Sequence, residues 1–192
     1  MFIILTGKTA SGKDTIKFQL LKKYATLKKV LTTTSRTPRA NESDRVDYNF
    51  LSRVEFEKKA AAGDFAEWVE YGGNLYGTEK KEIARALNED ILWKIDPSRA
   101  GEARQFFRRV FPQNVADQLI KKVVVIYITV PDEVVLQRLK NRGLKEEEIQ
   151  KRMADDVKIW QQYKESYDFI VENIPGKIDQ TVDKIVKIND TV

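Results

Sequence analysis

The sequence predicts an α/β fold in which a parallel sheet carries helices on both faces. Three observations predict it. Short apolar runs alternate with stretches of helical periodicity along most of the chain, as in a parallel sheet joined by crossover helices. The first run ends in a glycine-containing turn that opens a helix. Residues 123–130 are apolar and mostly β-branched, the pattern of a strand buried on both sides.

Each element has its own justification. Phe2-Ile3-Ile4-Leu5 is the first strand. From Lys13 the apolar positions Ile16, Leu20, Leu21 and Tyr24 recur at helical spacing. The mostly β-branched residues 30–34 predict the next strand, followed by a polar segment, 36–47, with Pro38 and no period. Short strands are expected at 48–51 and 64–71, separated by a charged helix over 54–62. Gly72-Gly73-Asn74 is turn chemistry leading into Leu75-Tyr76-Gly77, and Thr78 has N-cap character for a helix running through Asn88. A strand at 91–95 and a helix at 98–110 precede the buried run 123–130, after which Pro131 opens another helix. A long charged helix over 145–165, a last strand at 169–171 and a terminal helix striped by Ile178, Val182, Ile185 and Val186 complete the chain. The insertion at about 32–78 is β-rich, and no repeat or linker divides the chain, so one domain over residues 1–192 is expected.

Composition excludes whole classes of chemistry. Among 192 residues, 34 Lys+Arg stand against 29 Asp+Glu, a net charge of +5, with no Cys and no His. That rules out disulfides, a Cys/His zinc site, a thiol nucleophile, a histidine base and a Ser-His-Asp triad. A metal would need oxygen ligands, which points to Mg²⁺. No apolar run is long enough to span a bilayer, and residues 1–5 lack a basic n-region, so neither a membrane partner nor a signal peptide is expected. The absence of Cys fits a reducing cytoplasm. The cations are interleaved with acids and form no stripe with stacking aromatics, so no nucleic-acid partner is expected.

The strongest motif is Gly7-Lys8-Thr9-Ala10-Ser11-Gly12-Lys13-Asp14, a G-x-x-x-x-G-K turn between a predicted strand and a predicted helix. Its glycines let backbone N–H groups converge on phosphate oxygens, the helix N-terminus adds its dipole, and Lys13 adds a point charge. The hydroxyl that usually follows the lysine and meets Mg²⁺ is replaced by Asp14, with Thr15 next. A glycine turn that merely caps a structural helix is the bland alternative.

Further blocks narrow the reading. Thr32-Thr33-Thr34-Ser35-Arg36-Thr37-Pro38-Arg39, Asp47-Tyr48-Asn49-Phe50, Phe65-Ala66-Glu67-Trp68 and Asn74-Leu75-Tyr76-Gly77-Thr78 strongly resemble the guanylate kinase family in order and spacing. So does the segment around Arg142, and the resemblance runs from Ile3 to about Ile188. It implies a three-layer P-loop NTPase-type core (1–31, 79–140 and 153–192), a mixed β-rich GMP-binding insertion (32–78) and a short helical lid (141–152). It implies ATP and GMP as substrates, Mg²⁺ as cofactor, and a monomer or homodimer. Gly7, Ala10, Ser11, Gly12, Lys13, Asp14 and Thr15, with Arg138 and Arg142, are the implied ATP site. Asp14 is the one candidate Mg²⁺ ligand. Arg36, Arg39, Tyr48 and Tyr76 fall on the acceptor phosphate, and Glu67, Thr32, Thr78 and Asp96 on the rest of the GMP site. Lys13, Arg39, Arg142 and Arg152 are the implied catalytic residues. Glu172 and Asn173 match the family's adenine-side loop only loosely.

The residue chemistry agrees with these assignments. Two guanidiniums three residues apart offer planar forks to a phosphate, and one carboxylate can accept both donors of the guanine edge. Standing alone, each feature also has a structural explanation: a solvated basic loop for Arg36 and Arg39, a solvent-facing strand acid for Glu67, ordinary helix-surface ion pairs for Arg138. A second departure from the family lies in Leu92-Trp93-Lys94-Ile95-Asp96. Lys94 stands where an acid is typical, and Asp96 keeps the following one. Since Asp14 and Lys94 exchange acid for base, an ion pair between them beneath the P-loop is expected. A kinase for another phosphorylated acceptor, such as dGMP or a ribose bisphosphate, and a non-catalytic binding module of the same fold stay open as alternatives.

Overall fold

In the computed structural model, which describes residues 1–189, β1 (Phe2–Gly7) is buried along its whole length. It is the middle strand of an all-parallel sheet ordered β2 (Lys28–Lys29), β7 (Ile91–Lys94), β1, β8 (Val123–Thr129), β9 (Phe169–Glu172). Successive side chains of a strand point to opposite faces, so Phe2 and Ile4 enter one core while Ile3 and Leu5 enter the other. α5 (Ala103–Val110) and α6 (Gln113–Lys122) cover the first face with Phe106, Phe107, Ala116 and Leu119. α1 (Lys13–Lys23) and α9 (Ile178–Asn189) cover the second with Ile16, Leu20, Val182 and Ile185. Each fully buried Ile, Leu or Phe contributes about 1.5–3 kcal/mol, so these two layers dominate stability. The result is a three-layer α/β core.

A second, mixed sheet is ordered β4 (Asn49–Phe50), β3 (Thr32–Thr34), β6 (Asn74–Glu79), β5 (Phe65–Tyr71). α2 (Arg53–Ala61) starts with a reciprocal Ser52/Glu55 capping box and packs Phe56 against Phe65 and Leu75 on one face of this sheet. Its other face follows from register. Thr32 lies opposite Thr78, and Thr78 opposite Glu67; directly opposed residues share a face. Tyr76, two residues before Thr78, points the same way.

α7 (Asp132–Asn141) and α8 (Glu146–Tyr163) are joined by a turn at Gly143 (φ +74°) and packed through Val135, Leu139 and Ile149. α3 (Lys80–Ala84), α4 (Pro97–Gly101) and two short 3₁₀ turns complete the described elements. None of the described helices is long and apolar enough to cross a membrane.

Four sequence expectations need correction. The strand expected at 30–34 is strand only over 32–34: β2 ends at Lys29, and the chain leaves the core sheet after Val30 donates to the Leu92 carbonyl and joins the second sheet at Thr32. Thr78 is not an N-cap; it lies buried in β6, and Glu79 occupies the N-cap of α3. The helix expected over 98–110 breaks at Glu102, whose backbone (φ −93°, ψ 2°) is not helical. α6 was not anticipated at all. Its apolar residues are diluted by Gln113, Asn114, Asp117 and Gln118, and packing against α5 in the first core favours the helix.

Candidate active site

The loop between β1 and α1 is shaped by two residues with no alternative. A Cβ on Gly7 (φ +141°) would sit 2.1 Å from the Ile128 carbonyl oxygen. One on Gly12 (φ +89°) would sit 2.6 Å from the Asn173 side-chain amide. Both positions need glycine for space as well as for φ. Gly12 is the N-cap of α1, and no side chain caps the helix, so its first N–H groups face outward as an anion cradle. Lys13 folds back on the loop, donating to the carbonyls of Gly7 (2.7 Å) and Lys8 (2.6 Å). Burial pulls its ammonium down to about 8, against the opposing pull of Asp156.

Three other parts of the chain hold the loop. Asp156 of α8 is buried and accepts from the Thr9 N–H (2.9 Å) and hydroxyl (3.2 Å). Burial raises its pKa, while the Thr9 bonds and Lys13 act the other way. Asn173, after β9, donates to the Ser11 carbonyl at 2.8 Å and accepts from Thr181. Arg138 of α7 donates to the Ala10 carbonyl at 2.8 Å. Lys8 pairs with Asp132 at the start of α7.

A cavity of about 330 Å³ opens beside this loop, lined by Ala10, Gly12, Thr15, Arg138, Arg142, Asn173 and the turn Ile174-Pro175-Gly176. Arg142 therefore reaches the site. Arg152 is not among the lining residues; it is exposed on α8 and paired with Glu148 at 2.7 Å. On the other side of Lys13, Lys94 meets Asp14 Oδ1 at 2.6 Å, with Lys17 at 3.7 Å from the same oxygen. Parallel pairing of Leu5 with Lys94 brings the end of β7 alongside the loop. Burial opposes ionisation of Asp14, but the hydrogen bond and charge of Lys94 outweigh it and hold the carboxyl below its usual pKa.

The second cluster lies on the mixed sheet. Arg36 is pinned by Glu42, each of two guanidinium nitrogens meeting one carboxylate oxygen at 2.9 Å. Its guanidinium lies 5.4 Å from the Tyr48 ring centroid and 5.7 Å from that of Phe50, within cation–π range. Tyr76 adds to the stabilisation of its charge. Arg39 is exposed, and its backbone N–H donates to Glu42 Oε2. Glu67, on the face shared with Thr32 and Thr78, meets Arg99 of α4 at 2.6 Å. Burial and then nearby Asp96 raise the Glu67 pKa, against the attraction of Arg99. Asp96 itself caps α4, accepting from the Arg99 N–H at 2.9 Å.

The chain is similar to known proteins. The family model described as guanylate kinase matches residues 1–190. The chain belongs to the guanylate kinase family. It is 36% identical over 177 residues to a guanylate kinase of Rickettsia bellii, covering 90% of this chain and 85% of that protein. A guanylate kinase of Symbiobacterium thermophilum is 33% identical over 175 residues, covering 90% of this chain and 77% of its own length. Among solved structures, guanylate kinase from Anaplasma phagocytophilum aligns with a TM-score of 0.63 at 23% identity, over all of this chain and 84% of that one. Shikimate kinase from Acinetobacter baumannii aligns with a TM-score of 0.51 at 19% identity, over 99% of this chain and 93% of that one. At those identities the two structures speak for the fold alone.

Within this guanylate kinase family member, sequence reasoning missed three groups that shape the site. Asp156 left a trace, an acid on the inward stripe formed by Ile149, Met153 and Trp160 of α8. Glu42 and Arg99 left none, since each looks like an ordinary surface charge until its partner is known.

Proposed function

We propose that the chain transfers the γ-phosphoryl group of ATP to the phosphate of GMP, giving ADP and GDP, in the cytoplasm. The observation that carries this reading is the presence of two unlike half-sites in one chain. One is a glycine-cornered loop at an uncapped helix N-terminus. The other is a sheet face where Thr32, Glu67, Tyr76 and Thr78 stand together. In this reading residues 1–31, 79–140 and 153–192 are the core, 32–78 the GMP-binding insertion and 141–152 the lid.

Donor phosphates take the place of the Gly7 and Lys8 carbonyls on Lys13 and accept from the N–H groups of residues 12–15, with Arg138 and Arg142 alongside. Arg152 joins them only after leaving Glu148. Arg36, Arg39, Tyr48 and Tyr76 take the acceptor phosphate. Glu67 accepts from guanine N1–H and the 2-amino group, Thr32 and Thr78 face O6, and Asp96 flanks the base. The nucleophile is a phosphate oxygen that is already ionised, so no residue has to remove a proton. That suits a chain with no His. Positioning the two phosphates in line, and cationic side chains around the developing charge, supply the rate.

The residues present fit Mg²⁺. Among the described residues no group of three or more acids could cage a metal. Mg²⁺, however, usually keeps several waters and needs only one or two carboxylates besides substrate phosphates. Asp14 supplies one, and because both lysines meet its Oδ1, Oδ2 is left for the ion or its water. Held by Asp14, Mg²⁺ would supply positive charge against the donor phosphates.

A coupled ADP-release assay over a panel of nucleoside and sugar phosphates, with and without Mg²⁺, tests the reading. Mg²⁺-dependent turnover with GMP, lost in Glu67→Ala and Lys13→Ala, is the expected result. GMP binding without turnover would make the chain a binding module instead, and preferred turnover of another phosphate would reassign the acceptor.

A further inference from the structure

Arg99 sits in the first turn of α4, on the core side of the molecule, and Glu67 sits on β5 of the mixed sheet. Their contact, Nε to Oε2 at 2.6 Å, ties the core directly to the carboxylate assigned to guanine. We propose that Arg99 is a positioning residue for the acceptor site: it holds Glu67 by one oxygen and fixes the plane in which the carboxylate receives the base.

Three features support this role. First, Arg99 is itself clamped. Its backbone N–H donates to Asp96, and its guanidinium lies 4.7 Å from the ring centroid of Phe106, which is buried. A planar cation seated on an aromatic face is pre-organised in a way that a free surface arginine is not. Second, the pair is sheltered: the side chains of Arg99 and Glu67 are only 29% and 27% exposed, so solvent screens it less than a surface ion pair. Third, Glu67 needs a holder. A glutamate has several rotamers to lose on ligand binding, and a nearby like charge, Asp96, works against its ionised form. An ionised carboxylate accepts at about four lone-pair positions, so one arginine contact leaves room for both guanine donors. Arg99 thus acts before the nucleotide arrives, by lowering the cost of ordering the group that reads it.

The inference rests on Glu67 being the guanine-reading residue. It competes with an opposite idea, that Arg99 occupies Glu67 and has to be displaced by GMP. The two differ in sign. Steady-state kinetics of Arg99→Ala and Arg99→Gln should show KM for GMP raised about tenfold, the scale of one charge-assisted hydrogen bond. kcat and KM for ATP should stay nearly unchanged. Arg99→Lys should recover part of the loss, and it guards against misfolding because it keeps a cation above Phe106. The preference for GMP over inosine monophosphate, which lacks the 2-amino group, should also narrow. In a Glu67→Ala background, Arg99→Ala should add nothing.

A fall in KM for GMP in Arg99→Ala would establish displacement and overturn the proposal. An equal loss with Glu67 already removed would overturn it as well, because Arg99 would then act elsewhere. If Glu67→Ala leaves KM for GMP unchanged, the guanine reading of Glu67 fails and takes this inference with it. If Glu67→Ala is severe and all Arg99 variants behave as wild type, only the role of Arg99 falls.

Discussion

The P-loop and the acceptor cluster are both rich in cations, yet they are held ready in different ways. In the P-loop it is the backbone that is clamped: Asp156, Asn173 and Arg138 bind main-chain groups of Thr9, Ser11 and Ala10. Lys13 rests on carbonyls of the same loop. Neutral carbonyls are modest partners for an ammonium, so a phosphate replaces them at little cost. In the proposed acceptor cluster it is the side chains themselves that are held, Arg36 by Glu42 and Glu67 by Arg99. There the substrate must share or replace a full opposite charge. In the proposed reading the donor half is a mould of clamped backbone, whereas the acceptor half is a set of charges kept in place by counter-charges. A rigid mould suits the polyphosphate, whose shape varies little. Counter-charged side chains suit an acceptor that must be told apart from close analogues.

The sharpest way to break this contrast is to remove one principal cation from each half. Lys13→Met should lower kcat on the order of 10³-fold, as expected for a group that meets charge developing in the transition state, with an unchanged circular-dichroism spectrum. Arg36→Ala should act instead through KM for GMP, raising it on the order of 10²-fold, the loss of a forked charge-assisted contact. Equal effects of both on kcat would erase the distinction. Asp156→Asn probes the mould itself. It keeps the shape facing Thr9 but removes the charge that helps Lys13 stay protonated. A severalfold loss in kcat/KM for ATP at neutral pH should result, with KM for GMP unmoved.

The smallest effect is a pH limb. Because burial pulls Lys13 down to about 8, kcat/KM for ATP should be level at neutral pH and fall as the pH passes that value. The ammonium is the form that meets phosphate, so deprotonation weakens binding, and kcat/KM reports groups of the free enzyme. In Asp156→Asn the limb should move to lower pH. A profile that stays flat well above 8 would show that Lys13 is not buried as described.

Legibility differed between the halves for the same physical reason. The P-loop was readable because its parts are contiguous: a strand, two glycines, a lysine and a helix start lie within a few residues of each other. The acceptor residues came only through likeness to a family, since Thr32, Glu67 and Thr78 become neighbours through strand register. The Asp14–Lys94 pair was foreseen from two complementary departures, and the two residues do meet at 2.6 Å. Arg152 was expected at the donor site, and in this structure it pairs with Glu148. The helix α6 was hidden because local propensity there is weak, and the break between β2 and β3 because strand propensity runs through it and packing overrides it.

By itself the sequence determined the local chemistry of this protein. It specified glycine where only glycine fits, an uncapped helix start, a surplus of cations, and a reaction without histidine or cysteine. The tertiary structure alone decided which charge answers which. Asp156 lies 147 residues from Thr9 along the chain and 2.9 Å from it in space. Arg99 finds Glu67 only because α4 and β5 are brought together. Electrostatic coupling depends on distance and burial, and neither can be counted along a sequence.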